Sequence, residues 1–261
     1  LQQMQNGELD CCGLAPLETG CGIGELDRFI DRGLITVVDA PLTSGKEAAV
    51  YRCRTPRGCE HPFLAAKVYH EHAASGFRRN VTYFEGRERN LKARSVRAIR
   101  SGSAFGREAL ASVWVSAEYE VLSRLSDAGA DTPRPVALES RAILMEYFGD
   151  GRRPAPQLHS EALRAEDAGR IWRQILENIE IFLGEDLVHG DLSPYNILLW
   201  DGRPRIIDVP QAVDARFNHS AFELLCRDIE NVASFFAKDG VHVSATDIAF
   251  DLWDRYRRAR L

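Results

Sequence analysis

Nothing in the 261-residue chain is apolar for long enough to cross a bilayer, which excludes a helical membrane span. The opening residues, LQQMQNGELD, have neither a basic n-region nor an apolar h-region, so no signal peptide is expected there. The six cysteines (Cys11, Cys12, Cys21, Cys53, Cys59 and Cys226) form no C-x-x-C pair, and no His spacing completes a zinc knuckle. They read as reduced thiols of a cytoplasmic protein, not as a disulfide or metal framework. There is no internal repeat and no low-complexity tract. Neither sign of charge dominates: the formal net charge is -5, so the molecule as a whole is not a generic binder of polyanions. What is present is apolar material, at 45% of residues, enough for a sizeable core in one large domain or two lobes.

Residues 1–24 lack periodicity and read as an irregular lead-in. In ELDRFIDRG, Leu26, Phe29 and Ile30 share a helical face and Gly33 supplies the stop. LITVVDA, AAVYRCR and FLAAKVY read as strands, the last two joined by a turn at TPRG. VWVSAEYEVLSRLSDAG is a helix with Trp114, Val121, Leu122 and Leu125 on one stripe. AILMEYFGDG is a strand entering a glycine-containing connector. AGRIWRQILENIEIFLG is an amphipathic helix burying Ile171, Trp172, Ile175, Ile179 and Phe182. From SAFELLCRD onward the chain is mostly helical. Strands first and helices after predict an α+β molecule of two lobes with a cleft between them: 25–148, then 149–261.

Between Gly76 and Arg107 the charge is one-sided. Nine Arg and Lys residues, from Arg78 to Arg107, precede Glu108 against only Glu85 and Glu88. The run is either a solvated face or a binding patch.

The densest chemistry lies in LVHGDLSPYNILLWDGRPRIIDVPQ, residues 187–211. Asp191 and Asn196 have the D-x-x-x-x-N spacing of phosphoryl transfer, in which the Asp orients or deprotonates a hydroxyl and the Asn amide oxygen ligates magnesium. The Asp201–Gly202 turn folds the following hairpin so that Asp208 returns toward Asn196. His189 reads as a brace for this loop. Such a site needs a Lys on a strand and a Glu on a helix to hold it. Lys67 sits between apolar neighbours in LAAKVY. Glu118 lies on the apolar stripe of its helix, where a carboxylate is costly without a cation. Each supplies the partner that the other needs. The phosphate-covering loop would be PLTSGKEAAVY, with one Gly in place of G-x-G-x-x-G and with Thr43, Ser44 and Lys46 as donors. AILMEYF would hold adenine through backbone groups near Glu146 and Phe148, with Met145 behind the ring.

These residues resemble the RIO kinases, and within them the type-one branch. The resemblance rests on SGKEAAVY (44–51), AAKVY (65–69), WVSAEYEVL (114–122), ILMEYFG (143–149), LVHGDLSPYNIL (187–198) and IIDVPQAV (206–213). FRRNVTYFEGR is similar to the flexible insertion that this family carries, here about 70–110. The resemblance implies a two-lobed protein-kinase-like fold: an N-terminal antiparallel sheet with a regulatory helix, and a mainly helical C-terminal lobe. It implies an ATP- and Mg-dependent (or Mn-dependent) serine/threonine kinase that autophosphorylates or hydrolyses ATP, with Ser44, Lys46, Val50 and Lys67 at the nucleotide, Glu118 bracing Lys67, Asp191 catalytic, and Asn196 and Asp208 on the metal. Some members are thought to pass through a phosphoaspartate at the residue matching Asp208. Several ride on maturing small ribosomal subunits, for which the basic 76–107 stretch would be the contact. Gly190, Pro194 and Pro210 depart from the family pattern, and Gly190 brings the loop nearer to aminoglycoside and choline kinases, an alternative class of small-molecule phosphotransferase. After Gln211 there is no A-P-E element.

Overall fold

The computed structural model describes residues 24–70, 104–259 and 261. Nearly all of the lead-in and most of the expected basic insertion lie outside the described residues. The helix after the insertion begins earlier than its apolar stripe suggests, at Ala104, so Arg107 is helical.

Five antiparallel strands form one sheet: β1 (Val37–Ser44), β2 (Ala48–Arg54), β3 (Phe63–Tyr69), β4 (Pro135–Glu139) and β5 (Ala142–Glu146), in the order β1-β2-β3-β5-β4. Helix α1 (Gly24–Asp31) covers one face, packing Leu26 and Phe29 against Leu64, Ala66, Val68 and Leu144. Helix α2 (Ala104–Asp127) covers the other, where Trp114, Val115, Leu122 and Leu125 join the larger core. The central strand β3 is buried on both faces, which accounts for its unbroken apolar run. Its alternation puts Leu64, Ala66 and Val68 toward α1, and Ala65, Lys67 and Tyr69 toward a cleft.

Two strands differ from the sequence reading. β1 starts at Val37, not Leu34, and continues through Pro41, where the register shifts. A proline without an N–H fits there because β1 is an edge strand. β4 carries no sequence signal of its own: it is short, starts on a proline and forms the other edge.

The second half is helical, with α3 (Ala165–Gly184), α4 (Ala221–Ala237) and α5 (Ala245–Arg257). The expected stripe of α3 is its buried face. Between α3 and α4 run four short strands in two antiparallel pairs. β6 (Leu187–Val188) pairs with β9 (Val213–Asp214), and β7 (Ile197–Trp200) with β8 (Arg203–Ile206). The β7–β8 turn has φ +51 at Asp201 and +70 at Gly202, the left-handed pair that a tight hairpin requires.

A buried arginine ties the sheet to the connector after β5. Arg52 is 1% exposed; its Nε donates to Asp39 Oδ2 at 2.6 Å and its Nη1 to the Gly151 carbonyl at 2.7 Å. Gly149, at φ +146, has no room for a side chain: an added Cβ would lie 2.6 Å from the Arg153 carbonyl.

Candidate active site

Sheet, connector and helical half enclose a cleft of about 590 Å³. Of the residues singled out in the sequence, Lys46, Val50, Lys67, Glu118, Met145, Glu146, Phe148, Asn196 and Asp208 line it. Ser44 does not: it is exposed at the end of β1, while its neighbours Thr43 and Gly45 form the wall. Asp191 is also exposed and stands at the edge of the cleft beside Asn196, whose Nδ2 donates to the Asp191 carbonyl at 2.8 Å.

Lys67 is the centre of the site. Its Nζ donates to Glu118 Oε1 at 2.7 Å and to Asp208 Oδ1 at 2.6 Å. The Glu118 side chain is only 2% exposed, whereas 46% of the Asp208 side chain is open to the cleft. Burial works to lower the Lys67 ammonium, but Glu118, Tyr69 and Asp208 outweigh it and hold it well above its ordinary value. The Lys67 charge in turn holds the Asp208 carboxyl below the usual carboxylate range, against burial.

Two cleft residues extend this group beyond the sequence reading. Tyr69 donates its hydroxyl to Glu118 Oε2, so both oxygens of the buried carboxylate are satisfied. Tyr69 lies two residues from Lys67 on the same face of β3, and that alternation was the available signal. Glu47, half-buried in the hairpin turn, is pushed up first by burial and then by the Asp208 charge. Nothing in the turn sequence marks it.

The Asp191 loop is held from below. Asp228 on α4 accepts from Gly190 N at 2.7 Å and from Leu192 N at 2.9 Å, and Asn231 Nδ2 donates to the Leu192 carbonyl at 3.1 Å. Burial pushes Asp228 up to about 7, against the pull of the two backbone N–H groups. His189 braces the loop as expected. It is buried, its Nε2 faces the Ile207 carbonyl at 3.3 Å, and Asp191 N donates to its Nδ1 at 3.3 Å. Burial lowers His189 to about 4, so it is neutral at neutral pH. Asp191 is raised, first by partial desolvation at the cleft edge and also by the Asp208 charge, against the pull of Arg227.

Asn196 closes a single 3-10 turn, Pro194–Asn196, with Pro194 at its first position, where a missing N–H costs nothing. Ile207 N donates to the Asn196 carbonyl at 2.9 Å, which binds the two oxygen donors Asn196 and Asp208 into one unit. Among the described residues no three His, Cys, Asp or Glu side chains gather into a metal cage. An ion here would take only a pair of protein oxygens. Asp208 has φ +65, a left-handed conformation that is strained for most residues and better tolerated by Asp and Asn.

At the connector, Phe148 offers only its N–H, because its carbonyl accepts from Ala155 N at 2.9 Å. Gly190 has φ +79, which favours glycine on backbone grounds alone.

An antiparallel sheet with one buried Lys–Glu pair, facing a helical half that presents Asp, Asn and Asp across a cleft, defines a two-lobed, protein-kinase-like fold. Residues 49–249 match the family model described as the RIO domain, and the chain belongs to that family. It is 31% identical over 228 residues to the serine/threonine-protein kinase RIO1 of Caenorhabditis elegans, covering 87% of this chain and 42% of that protein. It is likewise 31% identical over 215 residues to the RIO-type serine/threonine-protein kinase Rio1 of Haloferax volcanii, covering 82% of this chain and 68% of the relative. The chain thus spans about two fifths of the length of the Caenorhabditis elegans, Dictyostelium discoideum and Homo sapiens relatives it matches. Among solved structures it resembles the Rio2 kinase of Chaetomium thermophilum, with a TM-score of 0.63 at 19% identity over 92% of this chain and 71% of that one. That structure is a complex with ADP, Mg2+ and phosphoaspartate.

Proposed function

We propose that this chain is an ATP- and magnesium-dependent phosphotransferase of the RIO type, which passes the γ-phosphoryl group to a serine or threonine hydroxyl, its own included, or to water. The observation that carries this reading is Lys67, held at 2.7 Å from buried Glu118 and 2.6 Å from Asp208 inside the cleft. In this role Lys67 grips the nucleotide phosphates, and Glu118 with Tyr69 keeps its ammonium in place. Lys46 and the backbone around Gly45 cover the phosphates, with Ser44 able to join only if the turn closes. The adenine edge is read by the Glu146 carbonyl and the Phe148 N–H, flanked by Val50 and Met145. The boundary between nucleotide lobe and catalytic lobe falls near residue 148.

Magnesium fits Asn196 and Asp208. The Asn196 Nδ2 is committed to the Asp191 carbonyl, which leaves the amide oxygen as the ligand atom. Magnesium commonly takes one or two protein oxygens and fills its shell from phosphates and water. When bound, it would neutralise charge developing on the phosphates. Asp191 orients the acceptor hydroxyl and takes its proton, a task suited to its raised affinity for protons. Asp208 is also the residue positioned to accept a phosphoryl group, as the phosphoaspartate of the Rio2 complex suggests by analogy. Gly190 is no argument for a small-molecule acceptor, since its backbone conformation explains the glycine.

The proposal extends to a cytoplasmic role on precursors of the small ribosomal subunit, contacted through the basic 76–107 stretch. Binding of that kind weakens steeply with salt. Affinity for ribosomal particles that ignores both salt and Arg→Glu changes would end this extension. The activity itself is tested by following γ-labelled ATP with magnesium in wild type, Asp191→Ala and Asp208→Asn. Label on protein, or phosphate released, should depend on both aspartates. Wild-type turnover in the Asp208 variant would refute the assignment.

A further inference from the structure

Asp131 is a buried aspartate in the segment that leads from α2 to β4, outside the cleft. Every polar group it has is engaged. Its N donates to Asn178 Oδ1 at 2.6 Å and its carbonyl accepts from Ile206 N at 2.8 Å. Oδ2 accepts from Arg203 Nη2 at 2.9 Å and from Asn178 Nδ2 at 3.2 Å, and Oδ1 accepts from Arg205 Nη1 at 2.9 Å.

These partners lead toward Asp208, α2 and the connector. Arg203 and Arg205 stand two residues apart on β8, on one face, and Asp208 lies two residues beyond the end of that strand. Ile206 N, spent on the Asp131 carbonyl, fixes the backbone two residues before Asp208, and Ile207 N fixes Asn196. On the other side Asp131 is tied closely to α2, since Ala130 N bonds back to the Leu125 carbonyl at 2.9 Å. Glu118 is carried by the same helix. The Arg205 guanidinium also lies 5.1 Å from the centroid of the Phe148 ring, at the connector.

We infer that Asp131 is a positioning residue for the metal: it bridges Arg203 and Arg205 and so sets the β7–β8 hairpin at the height where Asp208 and Asn196 can share one ion while Lys67 stays between Glu118 and Asp208. The physical reason is charge. Without the carboxylate, Arg203, whose side chain is 52% exposed, can turn to water, but the Arg205 guanidinium, at 23%, loses its counter-charge under the hairpin, and the strand must shift to solvate it. The shift is transmitted to Asp208, because Ile206 and Asp131 are joined backbone to backbone. This inference rests on the proposed nucleotide and metal site.

The test is the Mg2+ requirement of ADP binding, measured by calorimetry across a Mg2+ titration in wild type, Asp131→Asn, Asp208→Asn and the double variant. Loss of such an outlying partner should raise the Mg2+ concentration for half-maximal binding about tenfold in Asp131→Asn. In the Asp208→Asn background the same change should add no further rise, although thermal unfolding should drop by the same amount in both backgrounds. A folded Asp131→Asn protein with an unmoved Mg2+ requirement overturns the inference, as does an equal rise in both backgrounds. Should Asp131→Asn fail to fold, Arg205→Gln carries the same test, because it removes the ion pair from the hairpin side and leaves Asp131 in place. Wild type that binds no ADP at any Mg2+ concentration overturns the proposed function itself, and this inference with it. Wild type that binds with a Mg2+ requirement raised in Asp208→Asn but unmoved in Asp131→Asn overturns only the positioning role.

Discussion

Lys67 and Asp208 are 141 positions apart in the chain and 2.6 Å apart in the structure, with the Lys67 ammonium lying between Asp208 and the buried Glu118. One cation therefore serves a carboxylate that cannot leave and another that faces the open cleft.

Removing that cation should be costly. Lys67→Met leaves Glu118, with a side chain 2% exposed, without its counter-charge, and breaking a buried pair in this way costs about 3–5 kcal/mol. Glu118→Gln, which keeps the shape and a hydrogen-bonding partner, should cost less. Urea denaturation of the two variants decides the matter: equal losses would mean that Glu118 is not paying for burial through Lys67.

Asp208 calls for two variants, not one. Its φ of +65 is tolerated by Asn better than by Ala, so Asp208→Ala should be less stable than Asp208→Asn by about 1 kcal/mol. Both should lose phosphoryl transfer. Thermal melts read the first difference and labelled ATP the second. Equal stability of the two would show that the backbone strain is relieved on substitution.

His189 should make stability depend on pH. Its pKa is about 4 in the folded protein against 6.5 when exposed, so between those values the unfolded chain binds more protons and stability falls as pH falls. At pH 5 the loss attributable to His189 is about 2 kcal/mol relative to pH 7. Asp228, held up to about 7, titrates over part of this range with the opposite sign. The quantity to follow is therefore the stability difference between wild type and His189→Asn, which should shrink as pH drops from 7 to 5. A difference that is constant with pH would disprove the burial of a neutral imidazole.

Asp228→Ala should loosen the loop that carries Asp191. Two backbone N–H groups, at Gly190 and Leu192, lose their acceptor, at about 1–3 kcal/mol for each group left unsatisfied. Activity should fall more than nucleotide binding, because the cleft walls that hold the nucleotide lie elsewhere. Hydrogen exchange at residues 190–192 supplies the check, and protection as strong as in wild type would contradict it.

How much was legible in the sequence depended on whether a residue interrupts the apolar pattern of its own element, not on how far away its partner lies. The Lys67–Glu118 pair was readable because each residue breaks an apolar pattern on its own element. The same reasoning could have found Asp228, which sits among Leu225, Ile229 and Val232 on the buried face of α4. It could also have found Tyr69 from the alternation of β3. Asp131 left no trace: it falls in a turn-like stretch, and its side-chain partners are 47 to 74 residues away. Ser44 shows the reverse failure. A Ser-Gly-Lys turn names the right loop, but which of its side chains faces inward is set by the twist and register of the hairpin, and that choice fell on Thr43 and Lys46. β4 was hidden because an edge strand of five residues needs little of its own patterning once β5 offers a ladder.

The Arg52 side chain, reaching from β2 to the Gly151 carbonyl, gives the connector an allegiance. Its backbone travels with the sheet, so on the proposed reading the groups that recognise the base keep a constant distance from Lys67 as the lobes breathe. Opening and closing would then alter how far the phosphates sit from Asp191 and Asn196 while leaving the grip on the base unchanged. On that reading the molecule would hold a nucleotide through many failed approaches to the reacting geometry, and its dwell time and its turnover would be separately adjustable.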